Sequence, residues 1–232
     1  MLLAWTKAYL RQRLFINHVQ VDFKHSPHFQ FSRPFLYSAP HHVEIIIKSP
    51  LMNPRDSSAD GRHLLEMRTS SGKGQGIFAK EKIDTGITIL AETPLLKSNM
   101  SDSDIVNQFL RLSPDSRAAY QQLHSFPQAR LTDRPSFSDM ERTIIDIFAA
   151  NSFRVGSEGV IYLIGSRFNH SCTPNIAVMT DPRGGKFFIA TENIAKDQEL
   201  YISYGRYSGT PKERKAWLKE TWGFDCQCPE CL

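Results

Sequence analysis

Apolar and polar positions divide the chain into stretches of different period. Residues 1–62 show little periodicity, carry scattered prolines and hold five of the eight histidines (His18, His25, His28, His41 and His42). From His63 onward short apolar runs alternate with turn residues. Segments 64–67, 77–79 and 87–91 read as strands, separated by the turn-rich stretch 70–76 and by Asp84-Thr85-Gly86. Residues 101–150 change to a helical period. Ile105, Phe109 and Leu112 share a face, and Ser113-Pro114 reads as a cap followed by a first-turn proline. Ser138 with Glu141 forms a capping box, after which Met140, Ile144, Ile145, Phe148 and Ala149 line one side of a helix. Strand patterns return at 159–162, 176–179, 186–190 and 199–204, with Asp181-Pro182-Arg183-Gly184-Gly185 as a hairpin turn. A last helix is predicted from Thr210-Pro211, with Glu213 completing a second capping box and Gly223 ending it. Short strands, a helical insert and more strands exclude a regular βαβ alternation. They predict an α+β fold, mostly β, built of small sheets. The divisions expected are an extension over 1–62, a core over 63–205 with the insert near 101–150, and a helix and tail over 206–232.

Charge changes this picture in one place. The net +4 resides in residues 1–43, where Lys7, Arg11, Arg13, Lys24 and Arg33 face Asp22 alone. The rest of the chain is balanced and shows no bias toward nucleic acid, so no direct nucleic-acid binding is expected. No apolar run approaches the roughly 20 residues that cross a bilayer, and no membrane partner is expected. The first twenty residues are basic and free of acids. They read either as a mitochondrial presequence or as a poorly ordered extension, and we take the second reading.

Four cysteines are present: Cys172, Cys226, Cys228 and Cys231. An even count would suit two disulfides in a secreted protein. The apolar stretch Leu2-Leu3-Ala4-Trp5 is too short for a signal-peptide core, which points to an intracellular, reducing compartment, nucleus or cytoplasm. Cys226, Cys228 and Cys231 are spaced to converge on one ion, but a structural zinc takes four ligands. Cys172 is the one cysteine left to complete a four-thiolate site. Free buried thiols or a disulfide are the alternatives.

The segment around Cys172 reads Arg167-Phe168-Asn169-His170-Ser171-Cys172-Thr173-Pro174-Asn175. Its Asn-His-Ser-Cys-x-Pro-Asn core resembles the signature of SET-domain methyltransferases. Glu199-Leu200-Tyr201-Ile202-Ser203-Tyr204 is similar to the family's second signature, and Gly72-Lys73-Gly74-Gln75-Gly76-Ile77-Phe78-Ala79 to its glycine motif. The cysteine tail is similar to the post-SET segment, and the match covers about residues 64–232. Asn151-Ser152-Phe153 and Trp222-Gly223-Phe224 resemble the SET-and-MYND-like branch. The chain departs from that branch in lacking a MYND finger within 101–150. It also ends at Leu232, without the helical domain that shapes the branch's substrate cleft.

The resemblance implies a protein lysine methyltransferase that uses S-adenosylmethionine, holds one structural zinc ion and acts on a protein presenting a lysine, histone or non-histone. It implies cofactor contacts from Lys73, Gly74, Gln75, Gly76, Asn151, Ser166, Asn169, His170, Tyr204, Trp222 and Phe224. Tyr204 is then the central catalytic residue and Tyr162 a second aromatic of the lysine channel. Ser171 is structural, and Tyr201 and Tyr207 are packing or rim residues.

Plainer readings stand beside these. Residues 74–79 also spell a dinucleotide fingerprint, but they open a β-like segment rather than a helix, so that reading is rejected. A lone histidine is often structural, and a tyrosine closing a strand usually packs and makes one hydrogen bond. Asn169 and Asn175 suit a tight loop crossing held by side-chain-to-backbone bonds. Trp217, Leu218 and Trp222 suit a hydrophobic contact at a helix C-terminus. Two other functions remain open: a catalytically inactive SET-like interaction module and, more weakly, a DNA-binding zinc module.

Overall fold

The computed structural model describes residues 60–126, 137–205 and 209–232, preceded by the backbone of two paired strands, β1 (Phe15–Ile16) and β2 (Val19–Gln20). Apart from those two strands, residues 1–59 lie outside the described residues, and so do the expectations for that extension and the role given to Tyr207. Hydrogen bonding to the domain begins ahead of the boundary expected at 63. Gly61 N donates to Thr88 O at 3.1 Å, and the Arg62 guanidinium donates to Ala91 O at 3.2 Å.

β3 (Leu65–Ser70) and β4 (Gly74–Ala79) form an antiparallel hairpin whose turn uses positive φ at Gly72 (71°) and Gly74 (76°), a conformation open to glycine at little cost. β12 (Glu199–Ile202) pairs antiparallel with β4, and β9 (Asn169–His170) joins β12 in parallel. The sheet order is therefore β3-β4-β12-β9. A second sheet consists of β10 (Ile176–Thr180), β11 (Lys186–Ala190) and β5 (Thr88–Glu92), with residues 181–185 turning between the first two. A third sets β8 (Glu158–Ile161) between β6 (Leu96–Ser98) and β7 (Phe153–Val155).

The first two sheets share a core of Leu65, Ile77, Ile89, Phe168, Leu200 and Ile202, with Phe168 stacked on Phe188 at 4.9 Å. Each such side chain contributes about 1.5–3 kcal/mol by leaving water. The insert carries α1 (Asp102–Leu110), α2 (Pro114–Gln121) and α3 (Asp139–Asn151) around a second core of Ile105, Phe109, Tyr120, Ile144, Ile145 and Phe148. Ser101, Ser113 and Ser138 each accept from a backbone N–H of the first turn they precede. Met140 does not join the buried face: it is 54% exposed in the first turn of α3, and the apolar side closes only from Ile144. α4 (Pro211–Trp222) starts in the Thr210–Glu213 capping box and ends at Gly223, φ 78°.

Two differences from the sequence pattern bear on the site. The predicted strand 199–204 stops at Ile202, so Tyr204 lies beyond the sheet. Glu92, one residue past the predicted strand 87–91, is buried, and its two carboxylate oxygens accept from Ile164 N (2.9 Å) and Gly165 N (2.8 Å). It thereby holds the turn that leads into Asn169. Burial raises its pKa above the ordinary 4.5, against the pull of those N–H groups and of Arg62. The folded chain binds that proton more tightly than the unfolded chain, so its contribution to stability falls as pH rises from 4.5 through the folded-state value. Glu92→Gln offers one acceptor for two N–H groups. It should lower stability by about 1–3 kcal/mol at the acid end of that window, with the gap narrowing as pH rises. Urea unfolding of both proteins across this range checks it, and parallel pH profiles would be the contrary result.

Candidate cofactor pocket and metal centre

The crossing of β9 and β12 places the predicted polar residues. Ser171 N donates to Ile202 O at 3.0 Å, and the Asn175 side chain closes the loop from the other side. Asn175 accepts from Tyr201 N at 2.7 Å and donates to Glu199 O at 3.0 Å, the loop-crossing role expected of it. Asn169 donates its amide to Glu199 Oε1 (2.7 Å) and to Gln75 O (3.2 Å). Both partners can only accept, so the amide NH2 must face them. Asn169 Oδ1 is left as a bare acceptor with no partner among the described residues. The second carboxylate oxygen of Glu199 accepts from Ser70 Oγ at 2.9 Å and Tyr201 Oη at 2.5 Å, with Lys73 Nζ at 3.9 Å. Lys73 also donates to Tyr201 Oη at 2.9 Å, so Tyr201 joins Lys73 to Glu199 rather than merely lining a rim.

Gly76 is small for a reason visible here. A Cβ on it would lie 2.5 Å from Glu199 Oε1 and 2.8 Å from Asn169 Nδ2.

His170 is committed to the protein through both ring nitrogens. Nδ1 accepts from Tyr204 N at 3.1 Å, so in the neutral ring the proton sits on Nε2, 3.4 Å from Cys172 Sγ. Burial, helped by the charge of Lys73, pushes the imidazole down to about 4. Contact from His170 to a cofactor is therefore left to its backbone. Tyr204 Oη donates to Phe168 O at 2.9 Å, which fixes the phenol and leaves its lone pairs available. Burial first, then the Glu199 charge, raises its pKa, so the phenol stays neutral.

The tail supplies the aromatic wall. Trp222 packs on Tyr204 with ring centroids 5.3 Å apart, and Phe224 lies 6.0 Å from His170 and 6.1 Å from Tyr204. Asn151 and Ser166 meet each other elsewhere: Ser166 Oγ donates to Asn151 O at 3.0 Å. The Asn151 amide donates to His124 O and Ile147 O, both at 2.7 Å, so its Oδ1 likewise has no partner among the described residues. Tyr162 is placed differently from the channel role expected of it. It is 0% exposed, its ring meets Phe153 edge-on at 5.4 Å, and its hydroxyl donates to Gly184 O. Its strand ends at Ile161, and the next residue turns inward beneath the β10–β11 hairpin.

Cys172, Cys226, Cys228 and Cys231 converge, all four Sγ atoms lying within 4.8 Å of one another. The Cys172–Cys231 separation of 3.5 Å is far beyond the roughly 2.05 Å of a disulfide. It is near the spacing of about 3.8 Å that four sulfurs take around a tetrahedral zinc with Zn–S of about 2.3 Å. The group is thus compatible with zinc. Arg214, anchored on Gly209 O (2.7 Å) and Glu230 O (2.5 Å), lies beside Cys231 and Cys172 and sets a positive charge against their sulfurs.

Strand order, the crossing, the aromatic wall and the cysteine tail together define a SET-type catalytic domain. Residues 74–205 match the SET domain family, more than half of the chain, and the chain belongs to it. It is 28% identical over 161 residues to the histone-lysine N-methyltransferase set5 of Schizosaccharomyces pombe, a match covering 68% of this chain and 47% of that protein. It is 26% identical over 190 residues to a SET domain-containing protein of Acanthamoeba polyphaga mimivirus, covering 69% of this chain and 74% of that one. A SET and MYND domain-containing protein of Dictyostelium discoideum shares 40% identity over 65 residues, 28% of this chain and 12% of its own length. The chain thus spans about half the length of the fission-yeast relative.

Gly76→Ala should break the Asn169–Glu199 bond while leaving the apolar core intact. The expected loss is about 1–3 kcal/mol of S-adenosylmethionine affinity, or about 5- to 150-fold in Kd. Calorimetric titration of the cofactor into both proteins tests this; equal affinities would show that the close approach is not needed.

Proposed function

We propose that this chain transfers a methyl group from S-adenosylmethionine to a lysine side chain of a protein. The observation that carries the reading is the convergence of Tyr204, His170, Trp222 and Phe224 beside the Asn169–Glu199 crossing. Trp222 and Phe224 offer faces for an adenine, and the bare Oδ1 of Asn169 is an acceptor suited to an ammonium group. Lys73 and Gln75, at the hairpin end, flank the methionyl part. The cofactor, when bound, supplies an activated methyl group on its sulfonium.

The protein's part is alignment and solvent exclusion. A lysine amine attacks only when neutral, and an apolar aromatic channel lowers its pKa by desolvation. Tyr204 is neutral and already donates to Phe168 O, so it acts as an oriented acceptor and not as a base. Its oxygen can receive weak C–H···O contacts, each worth about 0.5–1 kcal/mol. The proton leaves the amine to water before the amine enters the channel.

Cys172, Cys226, Cys228 and Cys231 hold one zinc ion in this reading. The ion ties the Asn169–His170 segment to the tail bearing Phe224, and thiols kept for a metal suit the reducing nucleus or cytoplasm. The names of the relatives make histones the first substrates to try.

Labelled S-adenosylmethionine with histones and a cell extract tests the reading. Methyl transfer to protein lysines is expected; tight cofactor binding with no transfer would favour an inactive interaction module instead. Tyr204→Phe should lower turnover about 10- to 100-fold with little change in cofactor Kd, and unchanged turnover would remove Tyr204 from its role. Cys231→Ser should weaken zinc binding by about 100-fold or more and weaken cofactor binding with it, although no cofactor contact is altered. Elemental analysis with cofactor titration reads both, and a metal-free wild type of full affinity would refute the link.

A further inference from the structure

The helical insert reaches the aromatic wall at Phe126. Beyond α2 the chain is pinned twice. Leu123 is buried in the insert core, and Asn151 holds His124 O at 2.7 Å. Two residues later the half-buried ring of Phe126 lies against the backbone of Gly223. A Cβ on Gly223 would overlap Phe126 Cε2 and would sit 2.5 Å from Cδ2 and 2.7 Å from Cζ. Gly223 is the left-handed residue that ends α4, and its two chain neighbours are Trp222 and Phe224. The residue that Phe126 covers therefore sets the direction of both aromatic side chains packed on Tyr204.

We propose that Phe126 is a positioning residue, a clasp through which the helical insert fixes the Trp222–Phe224 wall and thereby sets cofactor affinity without touching the cofactor. The proposal rests on the cofactor pocket assigned above. The opposite end of the same linkage is equally defined. Ser166 donates to Asn151 O, and Asn151 donates to His124 O, so the turn leading into Asn169 and the clasp share one asparagine. The two walls of the pocket are joined through the insert as well as through the cysteine cluster. A general apolar contact would tolerate a methyl group on its partner. This one has no room for it, because ring and backbone meet directly.

The test is a double-mutant cycle on the full chain: Phe126→Ala, Gly223→Ala and the pair. Phe126→Ala should weaken S-adenosylmethionine binding about tenfold while zinc content stays at one per chain. Gly223→Ala should be worse in the wild-type background, where the new methyl meets the ring. Its added effect should shrink to a few-fold once the ring is gone, since only the strain of a positive φ remains. Phe126→Leu, which keeps bulk, should recover part of the affinity and guards against a misfolded Ala variant. Additive effects, or a Phe126→Ala protein of wild-type affinity, would overturn the clasp. Hydrogen exchange gives a readout independent of the cofactor. Amides 223–226 should exchange faster in Phe126→Ala, while those of β10 and β11 stay unchanged. If the wild type fails to bind cofactor, the pocket assignment falls, and this exchange pattern still decides for or against the clasp.

Discussion

Two strands of two and four residues, running parallel, cannot hold themselves together, and the whole site depends on their being held. β9 meets β12 over only two register pairs, Asn169 with Tyr201 and Ile202 with His170. What fixes them is the pair of side chains that bridge the crossing. Asn175 takes one backbone donor and one backbone acceptor of β12, and the Glu199 carboxylate takes the Asn169 amide. Buried polar bonds of this kind each add only about 1 kcal/mol net, but leaving one partner unpaired costs about 1–3 kcal/mol. The crossing is therefore a matter of specificity: few other arrangements satisfy all of these groups together. Gly76 follows from it, since any larger residue would enter the space where Glu199 and Asn169 meet.

The tail depends on a different source of order. Its cluster has Leu218, Cys226 and Cys231 as its buried members, with Trp217, Trp222 and Phe224 packed partly against them. That is a small apolar cluster for a helix and ten following residues. Four thiols within 4.8 Å carry no attraction of their own; unmetallated, they are polarisable groups that pack. An ion that draws them together converts binding free energy into local folding free energy. Arg214 fits the same picture, because four thiolates around a divalent ion leave a net negative charge and a guanidinium lies beside it.

How much of this is legible in the sequence follows from the range of each interaction. Capping boxes and turns are legible because their chemistry is complete within four residues: Ser138 with Glu141, Thr210 with Glu213, Gly223 at the end of α4. The cysteine convergence is legible by counting ligands, and the loop crossing by the two amides of Asn169 and Asn175. Strands β6, β7 and β9 escape a sequence reading because two or three residues carry no period. Glu92 and Glu199 do not stand out as organising groups because their partners lie about 70 and 30 residues away. Tyr162 reads as a channel residue because a motif supplies identity without orientation, and orientation there is set by the β10–β11 hairpin closing over it. Phe126 has no sequence signal at all. Its contact with Gly223 is legible only as the absence of space for a methyl group.

These ties form an order of dependence. The sheet core is apolar, and none of its buried side chains belongs to the cysteine cluster. The crossing needs that core, because it is a set of polar bonds at the edge of an already formed sheet. The aromatic wall needs the crossing, because Trp222 and Phe224 pack on Tyr204 and His170, which the crossing orients. The tail is then held at three points on different elements: the cysteine cluster on the loop after β9, the aromatic packing on Tyr204, and the ring of Phe126 on Gly223. Such a segment can open locally at a free energy well below that of global unfolding. A ligand that binds only the closed form draws on the difference, so its apparent affinity scales with the closed fraction. In the reading proposed above, residues that never touch the ligand, Cys231 and Phe126 among them, would act on that affinity through the closed fraction.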